Sequence, residues 1–264
     1  MKMYDSEIDI IESFQMVSID SICSIPQGTK EIDTILSSIL QKGAWSNWID
    51  SSGKADPPPD FYNEKLEMMM EVMKVDDHGF ISNRGKTINP TRQRETEVIR
   101  ELQGRGVLDK FPNTKLFLNV TSALPTKQDH NYRYYRDNFV GVVEKHIKKI
   151  ENYKENHPGY KVIFFVFDES SVYFEVSKQT HEIRMGEEFE GYPHCWYLDK
   201  AFIDSFKDSD VDYLIWFTPY KHSTACSIYD GSVLNLPLAV IFDVKNMNIT
   251  CLEYNADLME SEEI

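Results

Sequence analysis

Two carboxylates stand out by their placement. Asp60 follows the rigid run Pro57, Pro58, Pro59, and Glu71 lies inside the apolar run of residues 68–75. An oxygen-seeking cation such as Mg²⁺ needs one or two carboxylates, with water and a substrate phosphate completing its shell. So held, it can activate a water and stabilise the charge that develops on phosphate. Asp60 and Glu71 are therefore the candidate metal ligands. Lys74, three residues after Glu71, is the nearest cation that could orient a nucleophilic water.

The elements that must position these groups are a strand pair, predicted over residues 61–64 and 66–76. Asp60 then opens one arm and Glu71 sits on the other, brought together across a short reversal. In a strand, side chains alternate between faces, so Glu71 shares a face with Met73 while Lys74 points to the other. A β-bulge would be needed to bring Lys74 round, unless Lys65 or Lys86 supplies the charge from elsewhere.

Around this pair, Ile32, Ile35, Leu36, Ile39 and Leu40 recur at helical spacing over residues 29–43. Asn89 before Pro90 marks a helix start, and Gly104 its stop near Gln103. A strand is expected over 114–121. The longest helix is expected over 131–155, with Phe139, Val142, Val143, Ile147, Ile150 and Tyr153 on one face. Residues 161–167 are continuously apolar, as in a strand covered on both sides. Further strands are expected at 172–176, 213–217 and 238–244, and a helix at 201–207. Helices interleaved with buried strands predict an α/β fold with a central mixed β-sheet flanked by helices.

The order of a helix at 29–43, Asp60 at a strand start, Glu71 on the next strand, and then helix 131–155 with strand 161–167 resembles the restriction-endonuclease-like, PD-(D/E)xK superfamily. The resemblance implies a mixed sheet flanked by helices, Mg²⁺ held by Asp60 and Glu71, and a water-orienting lysine. It also makes residues 78–129 an insertion within one domain of residues 1–264. Met73 stands where the family's lysine belongs, so the sequence departs from the pattern at the residue that handles the water. The resemblance covers at most half of the chain.

Other groupings compete. Asp230 and then Asp243-Val244-Lys245 spell the same pattern with its lysine, but only a short segment follows them. Asp76, Asp77 and His78 offer ligands beside Glu71, although at a strand end they read more simply as a solvated turn before Gly79. Asp168-Glu169 closes a buried strand, the position beyond which ligands tend to bind in open α/β sheets. His194-Cys195 and His222 with Cys226 pair imidazole and thiol in sequence, and packing or turn roles are the expectation for both. His146 falls on the apolar face of its helix and reads as a core histidine.

Charge and cysteines bound the rest. With 28 Lys+Arg against 43 Asp+Glu the net charge is -15, which disfavours nucleic acid unless a local basic groove exists. Cys23, Cys195, Cys226 and Cys251 show no paired spacing and read as reduced thiols. The longest apolar run is too short to span a bilayer, and the N-terminus is acidic where a secretory signal would be apolar. These features predict a soluble cytoplasmic protein with no membrane partner. Two functions remain open. One is a metal-dependent phosphodiesterase acting on nucleic acid through Asp60, Glu71 and a displaced lysine. The other is an inactive, acidic protein-binding module that uses a tyrosine- and glutamate-rich surface such as residues 182–192.

Overall fold

The computed structural model describes residues 6–53, 59–82, 84–110, 129–176, 191–221, 225–227 and 233–262. Helix α1 (Glu7–Phe14) begins at a capping box: Ser6 Oγ accepts from the Asp9 N–H, and Asp9 Oδ2 accepts from the Ser6 N–H. Strand β1 (Ile22–Ile25), helices α2 (Lys30–Leu40) and α3 (Lys42–Trp45) and strand β2 (Ile49–Asp50) follow. The predicted helix 29–43 is thus two helices, which meet at Gln41 in extended backbone.

Strands β3 (Phe61–Asn63) and β4 (Met68–Val75) form the expected antiparallel pair. Residues 78–110 hold a small hairpin, β5 (Phe80–Ile81) and β6 (Thr87–Ile88), and the helices α4 (Pro90–Gly104) and α5 (Val107–Lys110). Asn89 caps α4 as predicted, its Oδ1 accepting from the Arg92 N–H; such a cap contributes about 1 kcal/mol. The strand expected over 114–121 lies outside the described residues.

The long predicted helix is two: α6 (Tyr132–Ile147) and α7 (Ile150–Asn156), turning at Lys148 and Lys149. Strands β7 (Lys161–Asp168), β8 (Tyr173–Val176) and β9 (Gly191–Pro193), the short helix α8 (Lys200–Ile203), and strands β10 (Tyr213–Phe217), β11 (Ala225–Ser227), β12 (Val233–Asn235), β13 (Ala239–Asp243) and β14 (Met259–Ser261) complete the fold. Helix α8 stops at Ile203, short of the residue 207 expected from the sequence.

Seven strands build one mixed sheet in the order β1-β13-β10-β7-β4-β3-β2. The central strands β4, β7 and β10 run parallel. β13 opposes β10, β1 runs with β13, and β4, β3 and β2 form an antiparallel meander. The period of two assigns each central residue to a face. Met68, Met70, Val72, Ile163, Phe165, Phe167, Ile215 and Ile241 pack toward α1 and α2. Met69, Met73, Val75, Val162, Phe164, Val166, Leu214 and Trp216 pack toward α6, α7 and α8. Both faces of β4, β7 and β10 are therefore buried, which is why the sequence of β7 shows no polar alternation. Truncating one such core phenylalanine costs about 3–5 kcal/mol.

The parallel central strands bring the C-terminal ends of β4, β7 and β10 to one edge. A second sheet, β14-β8-β9, lies beyond it. Its middle strand β8 begins five residues after Asp168, so Ser171 and Tyr173 are carried back to that edge.

Candidate functional site

The β3–β4 ladder pairs Phe61 with Met70. Asp60 directly precedes β3, and Glu71 follows Met70 on β4. The Asp60 side chain reaches the neighbouring strand: its Oδ2 accepts from the Val72 N–H at 2.8 Å. Ser51 fixes the same corner, donating its N–H to the Asp60 carbonyl and its hydroxyl to the Pro59 carbonyl.

Burial pushes the Asp60 carboxyl up, and the negative charge of Glu71 pushes it further, to about 7. The Val72 N–H and Lys149, at the α6–α7 junction, act in the opposite sense, and Glu7 adds to the rise. The Glu71 charge thus acts on Asp60 more strongly than the opposing charge of Lys149 does. Glu71 is 7% exposed. Its Oε1 meets His146 Nδ1 at 2.8 Å and accepts from the Tyr153 hydroxyl at 2.8 Å. Burial and the Glu71 charge hold the Tyr153 phenol well above its ordinary value, so it remains a donor. His146 is the satisfied helix histidine that the sequence suggested, and its partner is Glu71.

Met73 is buried on the Glu71 face. β4 keeps its phase from Met68 to Val75 against β7, with no bulge, and Lys74 pairs in register with Phe167. The bulge that would have rescued Lys74 is absent, and its side chain projects from the face opposite Glu71. Lys65 donates to Asn47 and Lys86 closes a turn with Ser82. Neither is brought to the carboxylate pair. Of the second pattern, Asp243 caps its own turn through Asn246, Lys245 donates to the Ser209 carbonyl, and Asp230 lies outside the described residues.

The other end of β4 overturns the reading of 76–78 as a solvated turn. Asp77 is fully buried. Its Oδ2 accepts from the Ser171 N–H at 2.9 Å, the Ser171 hydroxyl at 2.7 Å and the Tyr173 hydroxyl at 2.7 Å. Its Oδ1 lies 3.1 Å from His130 Nδ1 and 3.8 Å from His78 Nδ1. His78 Nδ1 is also 3.3 Å from Asp129 Oδ1, while Thr91 donates to Asp129 Oδ2. Burial works against a charged His78, but Asp129, Asp77 and Asp76 together outweigh it and lift the imidazole to about 9. Burial would likewise raise Asp77, and the hydrogen bond and charge of His130 reverse this, holding the carboxyl well below its ordinary range.

Asp168 is also fully buried, and it is saturated. Oδ2 accepts from the Tyr135 hydroxyl, Trp216 Nε1 and Lys221 Nζ; Oδ1 accepts from the Ser170 N–H and hydroxyl. Burial lowers the Lys221 ammonium against the pull of Asp168. Every acceptor position of the carboxylate is in use, so this pair organises the edge and leaves no lone pair for a ligand.

His194 and Cys195 do not form an imidazole–thiol pair. His194 Nε2 contacts Asp199 Oδ2 at 2.7 Å, and burial raises the Cys195 thiol, the wrong direction for a nucleophile. His222 lies outside the described residues, as do residues 182–190 of the expected binding surface; Tyr192 is exposed. Sequence reasoning missed His130, Asp129, Thr91 and Lys221 as partners of the strand-end carboxylates. His130 and Asp129 precede the N-cap Asn131 of α6, so the start of that helix was the available signal for their location. Among the described residues, no helix is long and apolar enough to cross a membrane. Comparison with protein-family models, with curated proteins and with solved structures gives no match.

Proposed function

We propose that the chain is a divalent-cation-dependent phosphodiesterase of nuclease type, with Mg²⁺ taken between Asp60 and Glu71. The observation that carries this reading is the like-charge pair: the Asp60 carboxyl, bonded to the Val72 N–H next to Glu71, is raised to about 7 by burial and by the Glu71 charge. A bound cation would relieve that repulsion, and the donors are the hard oxygens that Mg²⁺ selects. The element order gives further support. Helix α2, the meander β2-β3-β4, the crossover helices α6 and α7, and β7 parallel to β4 follow the order that the resemblance to restriction-endonuclease-like proteins implies.

Bound there, Mg²⁺ would supply charge stabilisation at phosphate and an activated water. His146 and Tyr153 hold Oε1 of Glu71, which fixes the carboxylate and leaves Oε2 to face a cation. Lys149 is the cation whose charge acts on Asp60, in place of the missing strand lysine.

A second reading, an inactive acidic protein-binding module, is favoured by Met73 buried where the lysine belongs and by the net charge of -15. Calorimetry with Mg²⁺ and Mn²⁺ separates the two. Binding in the wild type that is lost in both Asp60→Ala and Glu71→Ala, with cleavage of single- or double-stranded nucleic acid, supports the enzyme. Absence of binding, or binding indifferent to both substitutions, removes it and directs the search to protein partners.

A further inference from the structure

A second cluster of ligand-type side chains lies just beyond the C-terminal end of β4, about 20 Å along the chain from Glu71 at ~3.3 Å per residue. We propose that Asp77, His78 and His130 form a binding site for a transition cation of the Zn²⁺ type, independent of the Asp60–Glu71 pair.

Three observations carry the argument. The first is convergence. The Nδ1 atoms of His78 and His130 lie 3.8 and 3.1 Å from the same oxygen, Asp77 Oδ1. Ligands bound at about 2.0–2.2 Å stand roughly 2.8–3.1 Å apart in an octahedral shell and roughly 3.3–3.6 Å apart in a tetrahedral one, so these separations suit one shared ion after a small adjustment at His78. The three ligand atoms come from a strand end and a helix start, both fixed by packing.

The second is the support behind the ligands. Asp77 Oδ2 is held by three donors, Ser171 N–H, Ser171 hydroxyl and Tyr173 hydroxyl, which aims Oδ1 at the histidines. Asp129 Oδ1 lies 3.3 Å from that same Nδ1 of His78, on the ligand side of the ring, and Asp129 is itself held by Thr91. Donors placed as Ser171 and Tyr173 are on Asp77 orient metal ligands and tune their basicity. The backbone is tied down too: the Asn131 N–H donates to the Asp77 carbonyl, and Asn138 to that of Asp76.

The third is access. Asp77 is sealed, but the side chains of His78 and His130 are 25% and 13% exposed. Water or a substrate oxygen can therefore approach from the histidine side and complete the shell. The mixed imidazole and carboxylate donors select a borderline cation over Mg²⁺, so the two sites of β4 differ in the metal they prefer. The site also stands beyond the C-terminal end of a parallel strand, where open α/β sheets receive ligands.

The test uses the full chain stripped with a chelator and titrated with Zn²⁺ and Co²⁺. The expected result is one equivalent bound, with the visible ligand-field absorption of Co²⁺ in a nitrogen–oxygen shell. Affinity should fall on the order of 100-fold in His78→Ala and in His130→Ala, and stay unchanged in Asp60→Ala and Glu71→Ala. Failure of the pair Asp60–Glu71 to bind Mg²⁺ leaves this expectation untouched. If a histidine variant loses its fold by circular dichroism, imidazole NMR of the wild type decides. Zn²⁺ should then shift two of the seven histidines. No ligand-field band, no shifted imidazole, or Zn²⁺ binding that survives both folded histidine variants overturns the proposal.

Discussion

Lys221 Nζ lies 3.0 Å from Asp168 Oδ2, with both side chains sealed from solvent and the ammonium 4.4 Å from the centre of the Tyr135 ring. The pair ties the loop after β10 to the end of β7, so it fixes the edge of the sheet on which Asp77 also stands. Breaking such a pair is costly because the remaining charge is stranded. Lys221→Met should destabilise the protein by about 3–5 kcal/mol, read by urea unfolding. Pairing it with Asp168→Leu should recover part of the loss, since an apolar pair needs no desolvation of charge. A double variant as unstable as the sum of the singles would show that Asp168 is held chiefly by Tyr135, Trp216 and Ser170.

The Asp60 carboxyl gives stability a definite pH dependence. Its value is raised from 3.8 in the unfolded chain to about 7 in the folded protein. The folded state therefore holds the proton more tightly, and stability falls as pH rises from about 4 to about 7, then levels. Asp60→Asn keeps an acceptor for the Val72 N–H and removes the titration. At pH 8 it should be the more stable protein, by on the order of 1–2 kcal/mol after allowance for solvent screening. Below pH 4 the difference should vanish. Parallel stability profiles for the two proteins between pH 4 and 8 would contradict the burial and Glu71 repulsion described here.

Gly79 carries a packing requirement. A Cβ there would lie 2.5 Å from the Tyr134 ring, so the chain after His78 passes α6 with no room for a side chain. Gly79→Ala should cost about 1–3 kcal/mol through overpacking and displace His78 from Asp77. Thermal unfolding checks the first effect, and the Co²⁺ spectrum checks the second. A variant with wild-type melting and an unchanged spectrum would mean that Tyr134 swings aside freely.

Much of the scaffold was legible from local chemistry. The alternation of β4 was readable residue by residue, including Glu71 and Met73 on one face and Lys74 on the other, because a strand's period leaves no freedom. The cap at Asn89 and the two-sided burial of β7 were equally local. The capping box at Ser6 and Asp9 was present in the sequence but was not used to place α1. The division of α6 from α7 had no such marker: residues 147–150 contain neither glycine nor proline. The strand-end site was illegible for a different reason. Asp77 meets His130, Ser171 and Tyr173 only through the crossover of α6 and the return of β8. Nothing in the spacing of these residues announces that meeting, and a buried aspartate reads like a turn residue until its donors are known.

The order of the strands also constrains how the chain can assemble. Ile22 of β1 pairs with Ala239 of β13, and β13 is made after every other strand of that sheet. During synthesis β1 therefore has no sheet partner, and both its edges stay open, while β4, β7 and β10 gather. Helices α1 and α2, whose core partners include those strands, wait with it. The N-terminal segment is thus the part most dependent on a delayed, long-range closure, which topology makes slow.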